Sequence, residues 1–579
     1  MKKIAIALFL LLFVSLSAFP SMQKYYELSS EEWKTVSWLC TYAGVAGPPA
    51  FGPVTGYQLS YAIDRAAERL GENDEDVAHA RSLLGPENAF FRYNGSYASF
   101  SFSASPEMYY QTDPANEIGS STYSFFHDDW FIARLTERRP MAELRLTVNA
   151  EDAAWGQFAL NAQKQLWDRG IFSKAFDHNI SSRRTENFPF ESGVSVGTRN
   201  LSLIAGRAGV SLGEGYTGNT AIGDNFDYQE FVKAGFFSRN FGVYLNLTHF
   251  DSSRDPHSAN FPLVDDPFYI VSSRFSGYHQ IRHAPLFELY AFDRVRFSLS
   301  FMNLIDSDSA FDIRLLNPFA MLHGMFNYKD YMTLESNNMM TLDLSFALAR
   351  KWKAYFQFTL DQSQQRNEIE GHEDYIEPNA YGGMVNLTYS DKAYGGMVNA
   401  FIEAVYTSPC LYLNTKYYDS EGRIVQRKPY PDAIHAWSQD WLVGYFVEKG
   451  GPGDISWSGY RYGPDAIVIS LGASYSLPDV FTVSASVMYM AHGEKGRGTD
   501  PERYSFDDMA TVERINMLSP TGIAEHTLAL SLEGDFRLCR YFSIHGGAAY
   551  AHRWNYRNES GVSRDNVQLM LGCVVSYSI

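Results

Sequence analysis

The end of the chain constrains the fold more than any other stretch, because its side chains alternate in character. One set of alternate positions is apolar or aromatic, namely Val567, Leu569, Leu571, Cys573, Val575, Tyr577 and Ile579. The intervening positions are mostly polar or small, and comprise Gln568, Met570, Gly572, Val574, Ser576 and Ser578. Successive side chains of a β-strand point to opposite faces, so the segment predicts a strand with one face suited to lipid and one to water. A half-buried strand of a soluble sandwich is the alternative.

Runs with the same period of two recur from about Tyr97 to the end of the chain. Examples are Leu144, Leu146 and Val148 in one run, Val295, Phe297, Leu299 and Phe301 in a second, and Leu342, Leu344, Phe346 and Leu348 in a third. A strand in hydrocarbon must pair all its backbone groups, so such strands span a membrane only in a closed barrel. The repeated pattern therefore favours an all-β transmembrane barrel over a large soluble β-protein.

The length of the chain sets the size of this barrel. Dividing roughly 490 residues by about 27 residues for each strand with its connection predicts about 18 antiparallel strands, with a range of 16 to 20. Short turns between runs would lie in the periplasm, and the longer irregular stretches would form extracellular loops.

The amino terminus has the layout of a secretory signal peptide. Lys2 and Lys3 precede an apolar run from Ile4 to Val14, and small residues follow up to Ala18. This order predicts a signal peptide over residues 1–21 and export of the mature chain. Together with the barrel, it predicts the bacterial cell outer membrane as the location.

Residues 22–90 have a helical period instead and precede the predicted barrel of residues 91–579. Three short amphipathic helices are indicated by capping residues at one end and glycine at the other. The predicted pairs of first and last residues are Ser29 and Gly44, Thr55 and Gly71, and Asn73 and Gly85. Helices this short need a surface to pack on, so we expect a bundle or plug at the periplasmic mouth of the barrel. A small independent helical domain is the alternative.

Charge and cysteine usage exclude several classes of function. The formal net charge is −18, which would repel nucleic acid. The four cysteines, Cys40, Cys410, Cys539 and Cys573, are far apart and show no metal-ligand spacing, and the 14 histidines form no HExxH pair. We expect no metal site and no cofactor.

The predicted inward faces carry both signs of charge. The cations are Arg145, Arg294, Arg296 and Lys353, and the anions are Glu143, Asp343, Asp361, Glu403, Glu533 and Asp535. Mixed signs favour pairing across strands, which narrows the lumen and argues against a wide pore.

Two matches to the GxSxG motif suggest a nucleophilic serine, at Ser195 and Ser211. The motif has chemical meaning only on a turn between a strand and a helix, and no helical pattern follows either serine. We therefore expect no enzymatic activity.

An aromatic-rich region includes Trp437, Trp441, Trp457 and Tyr460. Aromatic faces with polar edges suit the stacking of sugar rings. The alternative is the belt of aromatic residues that lines both membrane interfaces.

A series of short motifs in a fixed order completes the pattern. Gly206-Arg207 is followed by Gly213-Glu214-Gly215, by DIRLLNPF at 312–319, by Ser336-Asn337-Asn338, by Leu360-Asp361 and by YGPDAIVISLGASY at 462–475. With the helical preface, this order resembles the capsule-assembly outer-membrane proteins of the Wzi type. The resemblance implies an 18-stranded barrel closed by a periplasmic helical bundle, and a lectin-like role without catalysis.

On this resemblance, the expected function is binding of exported surface or capsular polysaccharide and help in its assembly or attachment. The candidate carbohydrate-binding residues are Trp437, Trp441, Trp457, Tyr460, Arg461, Arg207, Asn317, Asn337 and Asn338. Expected partners are the polysaccharide, outer-membrane lipid and the barrel assembly machinery, and the protein is expected to be a monomer. The alternative function is a porin or a substrate-specific outer-membrane channel.

Overall fold

The structure is a computed structural model. It describes residues 22–85, 88–93, 95–112, 139–162, 167–168, 172–174, 190–224, 229–251, 279–307, 312–321, 335–363, 379–412, 414–418, 434–438, 442–444, 455–494 and 517–579. The predicted signal peptide, residues 1–21, and Trp441 lie outside the described residues.

The described strands form a closed antiparallel barrel of 18 strands, as the sequence predicts. Strand β1 has two segments, Ser96–Ala104 and Glu107–Gln111. The others are β2 Ala142–Ala150, β3 Ala154–Ala162, β4 Phe190–Thr198, β5 Leu201–Ala208, β6 Gln229–Phe237, β7 Phe241–Asp251, β8 His279–Ala291, β9 Val295–Ser307, β10 Glu335–Ala349, β11 Trp352–Gln362, β12 Ala380–Ala393, β13 Gly396–Thr407, β14 Ala466–Leu477, β15 Phe481–His492, β16 Glu525–Cys539, β17 Phe542–Trp554 and β18 Ser563–Ser578.

The carboxyl-terminal strand closes the barrel. Strand β18 pairs with β17 along its length and with both segments of β1, so that Tyr577 lies opposite Phe102 and Leu569 opposite Tyr110. Its apolar set faces outward, as predicted, and the side chain of Leu571 is 54% exposed at the barrel surface. From Gln568 to Leu571 and beyond towards Ser578, β18 thus has partners on both sides, as a strand in hydrocarbon requires.

The connections between strands differ in length at the two ends of the barrel. Those at 151–153, 199–200, 238–240, 292–294, 350–351, 394–395, 478–480 and 540–541 contain two or three residues. The alternate connections, such as 209–228 and 408–465, are much longer. We call the two ends the short-turn end and the long-loop end. Outer-membrane barrels place short turns in the periplasm and long loops outside the cell.

Three helices precede the barrel: α1 Glu31–Ala43, α2 Gly56–Leu70 and α3 Glu75–Leu83. The predicted capping box of Thr55 and Gln58 is confirmed, since the Thr55 backbone N–H donates to Gln58 Oε1 at 2.8 Å. The other two predicted caps are wrong by one residue. Ser30, not Ser29, accepts from the Trp33 N–H at 3.2 Å, and Asp74, not Asn73, caps α3.

The cap of α1 predicts an asymmetric response to two neighbouring substitutions. Ser30→Ala removes the acceptor for the Trp33 N–H and is expected to lower the free energy of unfolding by about 1 kcal/mol. Ser29→Ala is the matched control and should change it by less than about 0.5 kcal/mol, since Ser29 is an exposed residue outside the cap. Urea unfolding in detergent, followed by tryptophan fluorescence, measures both. Equal losses would contradict the cap.

The helices pack against the short-turn end of the barrel. Trp38 Nε1 donates to the Val398 carbonyl at 2.9 Å, and the Lys351 N–H donates to the Thr41 carbonyl at 2.9 Å. Arg239 in a short turn forms an ion pair with Glu68 of α2. Among the described residues, no helix is long and apolar enough to cross a membrane.

The four cysteines are free thiols. Cys539 on β16 and Cys573 on β18 are separated by β17, where Cys539 is opposite Phe542 and Cys573 is opposite Ile544. They therefore form no bridge between the last strands.

Candidate functional site

A short proline-rich segment enters the lumen from the short-turn end. This plug segment, residues 47–53, has the sequence GPPAFGP and lies between α1 and α2. Prolines lack an N–H donor, so the segment presents mainly carbonyl oxygens. Buried donors satisfy these carbonyls: Arg65 to Gly47, Arg296 to Pro48, Trp33 to Pro49, and Lys233 to Phe51 and Pro53. The plug segment is therefore anchored to both the helices and the barrel wall.

The connection between β5 and β6 folds into the lumen and meets the plug segment. We call residues 209–224 the lumen loop. The Gly213 N–H donates to the Ala50 carbonyl at 2.8 Å, and the Gly52 N–H donates to the Ser211 carbonyl at 2.8 Å. Phe51 and Leu212 form an antiparallel bridge between the two segments. The plug segment and the lumen loop thus pair through their backbones inside the barrel.

Gly213 occupies a position that only glycine fits. Its φ of 127° is in a region that side chains rarely adopt. A Cβ there would also meet Asn219, and would lie 2.6 Å from Gln357 Nε2 and 2.7 Å from the Tyr355 hydroxyl. The backbone of the lumen loop can therefore approach the wall only because this residue has no side chain.

A buried group of charges holds the lumen loop to the wall. Glu214 Oε1 lies 2.7 Å from Arg296 Nη2, and Lys353 Nζ donates to Glu214 Oε2 at 2.6 Å. Arg296 also lies 3.6 Å from Asp343 and 3.7 Å from Glu288. These side chains have almost no exposed surface. Burial raises the pKa of Glu214, but Lys353 and Arg296 outweigh it and hold the pKa at about 2.

Glu403 on β13 holds the next part of the lumen loop. Its carboxylate accepts from the backbone N–H groups of Tyr216 and Thr217, each at 2.8 Å, and from the Thr217 hydroxyl at 2.6 Å. The ring of Tyr216 stacks on Phe401 with centroids 3.7 Å apart. Backbone donors are aimed at this carboxylate, so it acts as a fixed acceptor for the loop.

The connection between β13 and β14 adds a third inward layer. The Gly223 N–H donates to the Ser458 carbonyl at 2.7 Å, and Arg282 donates to the Ser458 hydroxyl at 2.6 Å. Tyr412 donates to the Thr220 carbonyl at 2.6 Å and accepts from the Tyr460 N–H at 2.8 Å. Described residues from both ends therefore fill the lumen beside β5 to β15.

The predicted pairing of inward charges across strands is confirmed for Arg296 of β9 with Asp343 of β10, at 3.6 Å. Arg145 instead pairs with Glu143 of its own strand at 2.9 Å, and Asp361 accepts from the Tyr412 backbone N–H at 2.8 Å. Asp535 pairs with Arg139 at 2.7 Å. The prediction for Arg294 is wrong, because Arg294 lies in the turn 292–294 and is exposed.

The structure separates the candidate carbohydrate-binding residues into two groups. Tyr460 and Arg461 lie in the inward layer, where Tyr460 is 0% exposed and approaches the Thr217 hydroxyl at 2.9 Å. Arg461 is also buried, 3.6 Å from Asp224. A ring with no exposed face cannot stack on a sugar in this arrangement. Tyr460 and Arg461 instead contact Thr217 and Asp224 of the lumen loop.

The remaining described candidates lie at the long-loop end, on separate elements. Arg207 at the end of β5 is half-buried, 3.0 Å from Glu230. Asn317 is exposed in the connection between β9 and β10, and Asn338 donates to Asn303 at 2.6 Å. Asn337 is half-buried beside it on β10.

Two of the tryptophan candidates lie in short paired strands in the connection between β13 and β14. Trp437 lies in the strand Ile434–Ser438, opposite Thr415. Trp457 lies in the strand Ile455–Trp457, opposite Leu442. Their assignment to carbohydrate, like that of Trp441, stays a prediction.

The two serines of the GxSxG matches do not form elbows. Ser195 lies within β4 and donates to the Gln23 carbonyl, and Ser211 lies in the lumen loop. Within the described ranges, no group of three or more His, Cys, Asp or Glu side chains is arranged to hold a metal ion.

Comparison with known proteins places this architecture among outer-membrane barrels. No protein-family model and no curated protein matches the sequence. The fold is similar to Wzi of Escherichia coli, an outer membrane protein involved in group 1 capsule assembly and a carbohydrate-binding β-barrel. The TM-score is 0.53 at 12% identity, over 95% of this chain and 99% of that chain. The fold of this chain is that of an outer-membrane β-barrel.

Other solved structures align at lower similarity. OprD of Pseudomonas aeruginosa aligns with a TM-score of 0.37 at 9% identity, over 83% of this chain and 95% of that chain. The outer membrane channel DcaP of Acinetobacter baumannii aligns with a TM-score of 0.35 at 8% identity, over 85% of this chain and 100% of that chain.

The sequence did not single out the charge group that holds the lumen loop. Glu214 stands in the quoted motif Gly213-Glu214-Gly215, and Arg296 and Lys353 were named as inward cations. A signal was present, since a carboxylate between two glycines in a connection suggests close backbone approach. Its partners lie on β9 and β11, far along the chain.

Proposed function

We propose that this protein binds an exported surface polysaccharide at its long-loop end and helps to assemble or retain it at the cell surface. The observation that carries the proposal is the filled lumen beside β5 to β15, where the plug segment pairs with the lumen loop. A lumen occupied in this way offers little room for transport, and outer-membrane barrels expose their long connections outside the cell. The fold likeness to a carbohydrate-binding barrel supports the same proposal.

Residues on the long-loop face supply suitable groups for a glycan. Asn317 is exposed, and amide groups both donate to and accept from sugar hydroxyls. The Arg207 guanidinium can bind a glycan carboxylate, which would compete with Glu230 for this guanidinium. The tryptophans 437, 441 and 457 are proposed to stack on sugar rings. The proposed role is binding without catalysis, by a monomer inserted by the barrel assembly machinery.

A channel is the second candidate function, and one observation favours it. The inward side chains Ser531, Glu533 and Asp535 of β16 are half-buried, unlike buried inward residues such as Arg296 on β9 and Gln357 on β11. The lumen is therefore less filled near β16. A narrow, cation-preferring path along these carboxylates would follow from their charge.

Polysaccharide binding by tryptophan variants tests the proposal. The refolded barrel in detergent is titrated with the surface polysaccharide of the producing cell, and with unrelated neutral and acidic glycans. Trp437→Ala, Trp441→Ala and Trp457→Ala are each expected to weaken binding about two- to tenfold, from the loss of one stacking contact. Trp352→Ala is the matched control, because Trp352 is 41% exposed but lies at the short-turn end.

The same preparation separates the two functions. Selective, saturable binding that the loop tryptophans reduce and Trp352→Ala leaves unchanged would support the lectin proposal. Absence of binding to every glycan, together with discrete ion conductance in a planar bilayer, would overturn it in favour of the channel.

A further inference from the structure

The outer wall of the barrel carries a polar cluster at the long-loop end of β15 to β18. We call it the outer-wall cluster, and its residues are Tyr489, His526, Tyr550, His552, Trp554 and Asp565. These side chains are on the outward face, since the alternate positions, such as Thr527 and Arg553, are buried inside the barrel. An outward face normally contacts lipid, so charged and imidazole side chains there are unusual.

Direct contacts join the members of the outer-wall cluster. Asp565 Oδ1 accepts from the Tyr550 hydroxyl at 2.5 Å and lies 2.7 Å from His552 Nδ1. The His552 and Trp554 rings meet edge to face, with centroids 4.3 Å apart. On the neighbouring strand, His526 is opposite Trp554 and lies 2.8 Å from the Tyr489 hydroxyl. The cluster is thus one connected surface across four strands.

The position of the outer-wall cluster along the barrel axis identifies the layer of the membrane that it contacts. Below it, the outward residues of β16 and β18 are apolar and exposed, including Leu530, Leu532, Leu569 and Leu571. A transmembrane strand needs about 9–11 residues to cross the hydrocarbon. Counted along the outward positions of β17 from Phe542 at the short-turn end, the first polar side chain is Tyr550. The cluster therefore lies at the upper boundary of the hydrocarbon, level with the headgroups of the outer leaflet.

The chemistry of the cluster suits a sugar rather than an acyl chain. The Trp554 side chain is 40% exposed, which leaves an aromatic face for stacking on a pyranose ring. The Asp565 side chain is 59% exposed, and a carboxylate accepts several hydrogen bonds, so it can take sugar hydroxyls or an amide N–H. His552 directs one ring nitrogen to Asp565, and the other can accept from a sugar hydroxyl. His526 adds a ring nitrogen that can donate to a sugar or phosphate oxygen when its other nitrogen accepts from Tyr489.

We propose that the outer-wall cluster binds the sugar headgroup of an outer-leaflet glycolipid, of the class built on phosphorylated, acylated glucosamine. Its acyl chains would lie along the apolar residues below, and its sugar would contact Trp554 and Asp565. The site differs from the proposed polysaccharide face, because it lies on the outer wall and needs no loop residue. Its existence does not depend on the proposed function.

Other aromatic residues at the same end provide a comparison within the molecule. Tyr381 and Tyr406 face outward on β12 and β13 and stack with centroids 5.7 Å apart. The two tyrosines hydrogen-bond to each other, and Tyr406 also accepts from the Ser519 backbone N–H at 3.2 Å. This pair has the character of an interfacial aromatic belt and serves as a matched control.

Glycolipid binding by matched variants tests the inference. Wild type, Trp554→Ala, Asp565→Asn and Tyr381→Ala are purified in detergent and titrated with the diglucosamine glycolipid, its deacylated soluble form, or phosphatidylglycerol. Binding is read by native mass spectrometry and by the rise in unfolding temperature that a native-state ligand causes. We expect Trp554→Ala and Asp565→Asn to weaken glycolipid binding about two- to tenfold and Tyr381→Ala to leave it unchanged.

The outcomes separate a specific site from a general lipid belt. If the headgroup is recognised, Trp554→Ala and Asp565→Asn should also weaken binding of the deacylated sugar, by a smaller factor. If stacking is responsible, Trp554→Phe should retain most of the wild-type affinity. Equal binding by all four proteins, or equal stabilisation by phosphatidylglycerol, would overturn the inference. Circular dichroism of each variant before titration establishes that every barrel compared is folded.

Discussion

Glu214→Gln is expected to lower the free energy of unfolding of the barrel by about 3–5 kcal/mol, the usual cost of removing one partner from a buried ion pair. The substitution keeps the size of the side chain but leaves Lys353 and Arg296 short of a counter-charge inside the lumen. Asp343 and Glu288 stay near Arg296, at 3.6 and 3.7 Å, so Lys353 bears most of the effect. Urea unfolding in detergent measures the change.

Two further variants bracket this result. Glu230→Gln removes a carboxylate that is 48% exposed and pairs with Arg207, so its cost should stay below about 1 kcal/mol. Combining Glu214→Gln with Lys353→Met removes both charges, and the double variant should be more stable than the sum of the two single losses implies. Additive losses would show that the two residues act independently.

The pH dependence of stability follows from the same carboxylate. The pKa of Glu214 is lowered from 4.5 to about 2, so the native state favours the ionised form. The stabilisation is therefore complete above about pH 4.5 and is lost as the pH falls towards 2. Glu214→Gln lacks the ionisable carboxyl, so its free energy of unfolding should not carry this pH dependence. The difference in stability between wild type and variant should therefore shrink as the pH falls from about 4.5 towards 2. A constant difference would contradict the pairing.

Gly213→Val is expected to open a barrel that otherwise conducts little. A valine would adopt an unfavourable positive φ, at about 1–2 kcal/mol, and would crowd Gln357 and Tyr355 at a further cost of about 1–3 kcal/mol. The lumen loop can relieve both costs by leaving the wall, which would unpair it from the plug segment. Single-channel recording in a planar bilayer should show low conductance for wild type and discrete conductance steps for the variant.

Gly395→Val is the matched control for Gly213→Val. Gly395 also has a positive φ, of 80°, but a Cβ there would meet nothing within 4 Å. Gly395→Val should lose only the stability that a positive φ costs a valine, and its conductance should stay at the wild-type level. Porin-like conductance of the wild-type barrel would sink the filled-lumen description, and an unchanged Gly213→Val would show that the loop does not block the path.

Local sequence patterns predicted the parts of this fold that depend on near neighbours. The alternation of Leu569, Leu571 and Tyr577 predicted the outward face of β18, because strand geometry alone assigns alternate residues to opposite faces. Thr55 with Gln58 predicted the start of α2 for a similar reason, since both groups lie within one helical turn. At α1, two consecutive serines satisfied the cap pattern, and only the packed helix shows that Ser30 is the acceptor.

The candidate site was less accessible to such reasoning. Tyr460 and Trp457 look alike in sequence, as aromatic residues in a polar region, yet Tyr460 is buried against the lumen loop. Exposure of an aromatic residue in a long connection depends on whether that connection folds inward. No periodicity reports this, because the partners of Tyr460 come from another connection of the barrel.

By itself, the sequence predicted a closed outer-membrane barrel with a helical preface. Period-two alternation in so many strands favours a barrel over a soluble β-protein, because strands in hydrocarbon must pair every backbone group. Only the tertiary structure decided what fills the barrel. An inward polar residue can line water or pair with a charge, and the choice rests on contacts such as Glu214 with Lys353, which are 139 residues apart. Burial then makes those contacts decisive, because an inward charge without its partner would be too costly to keep.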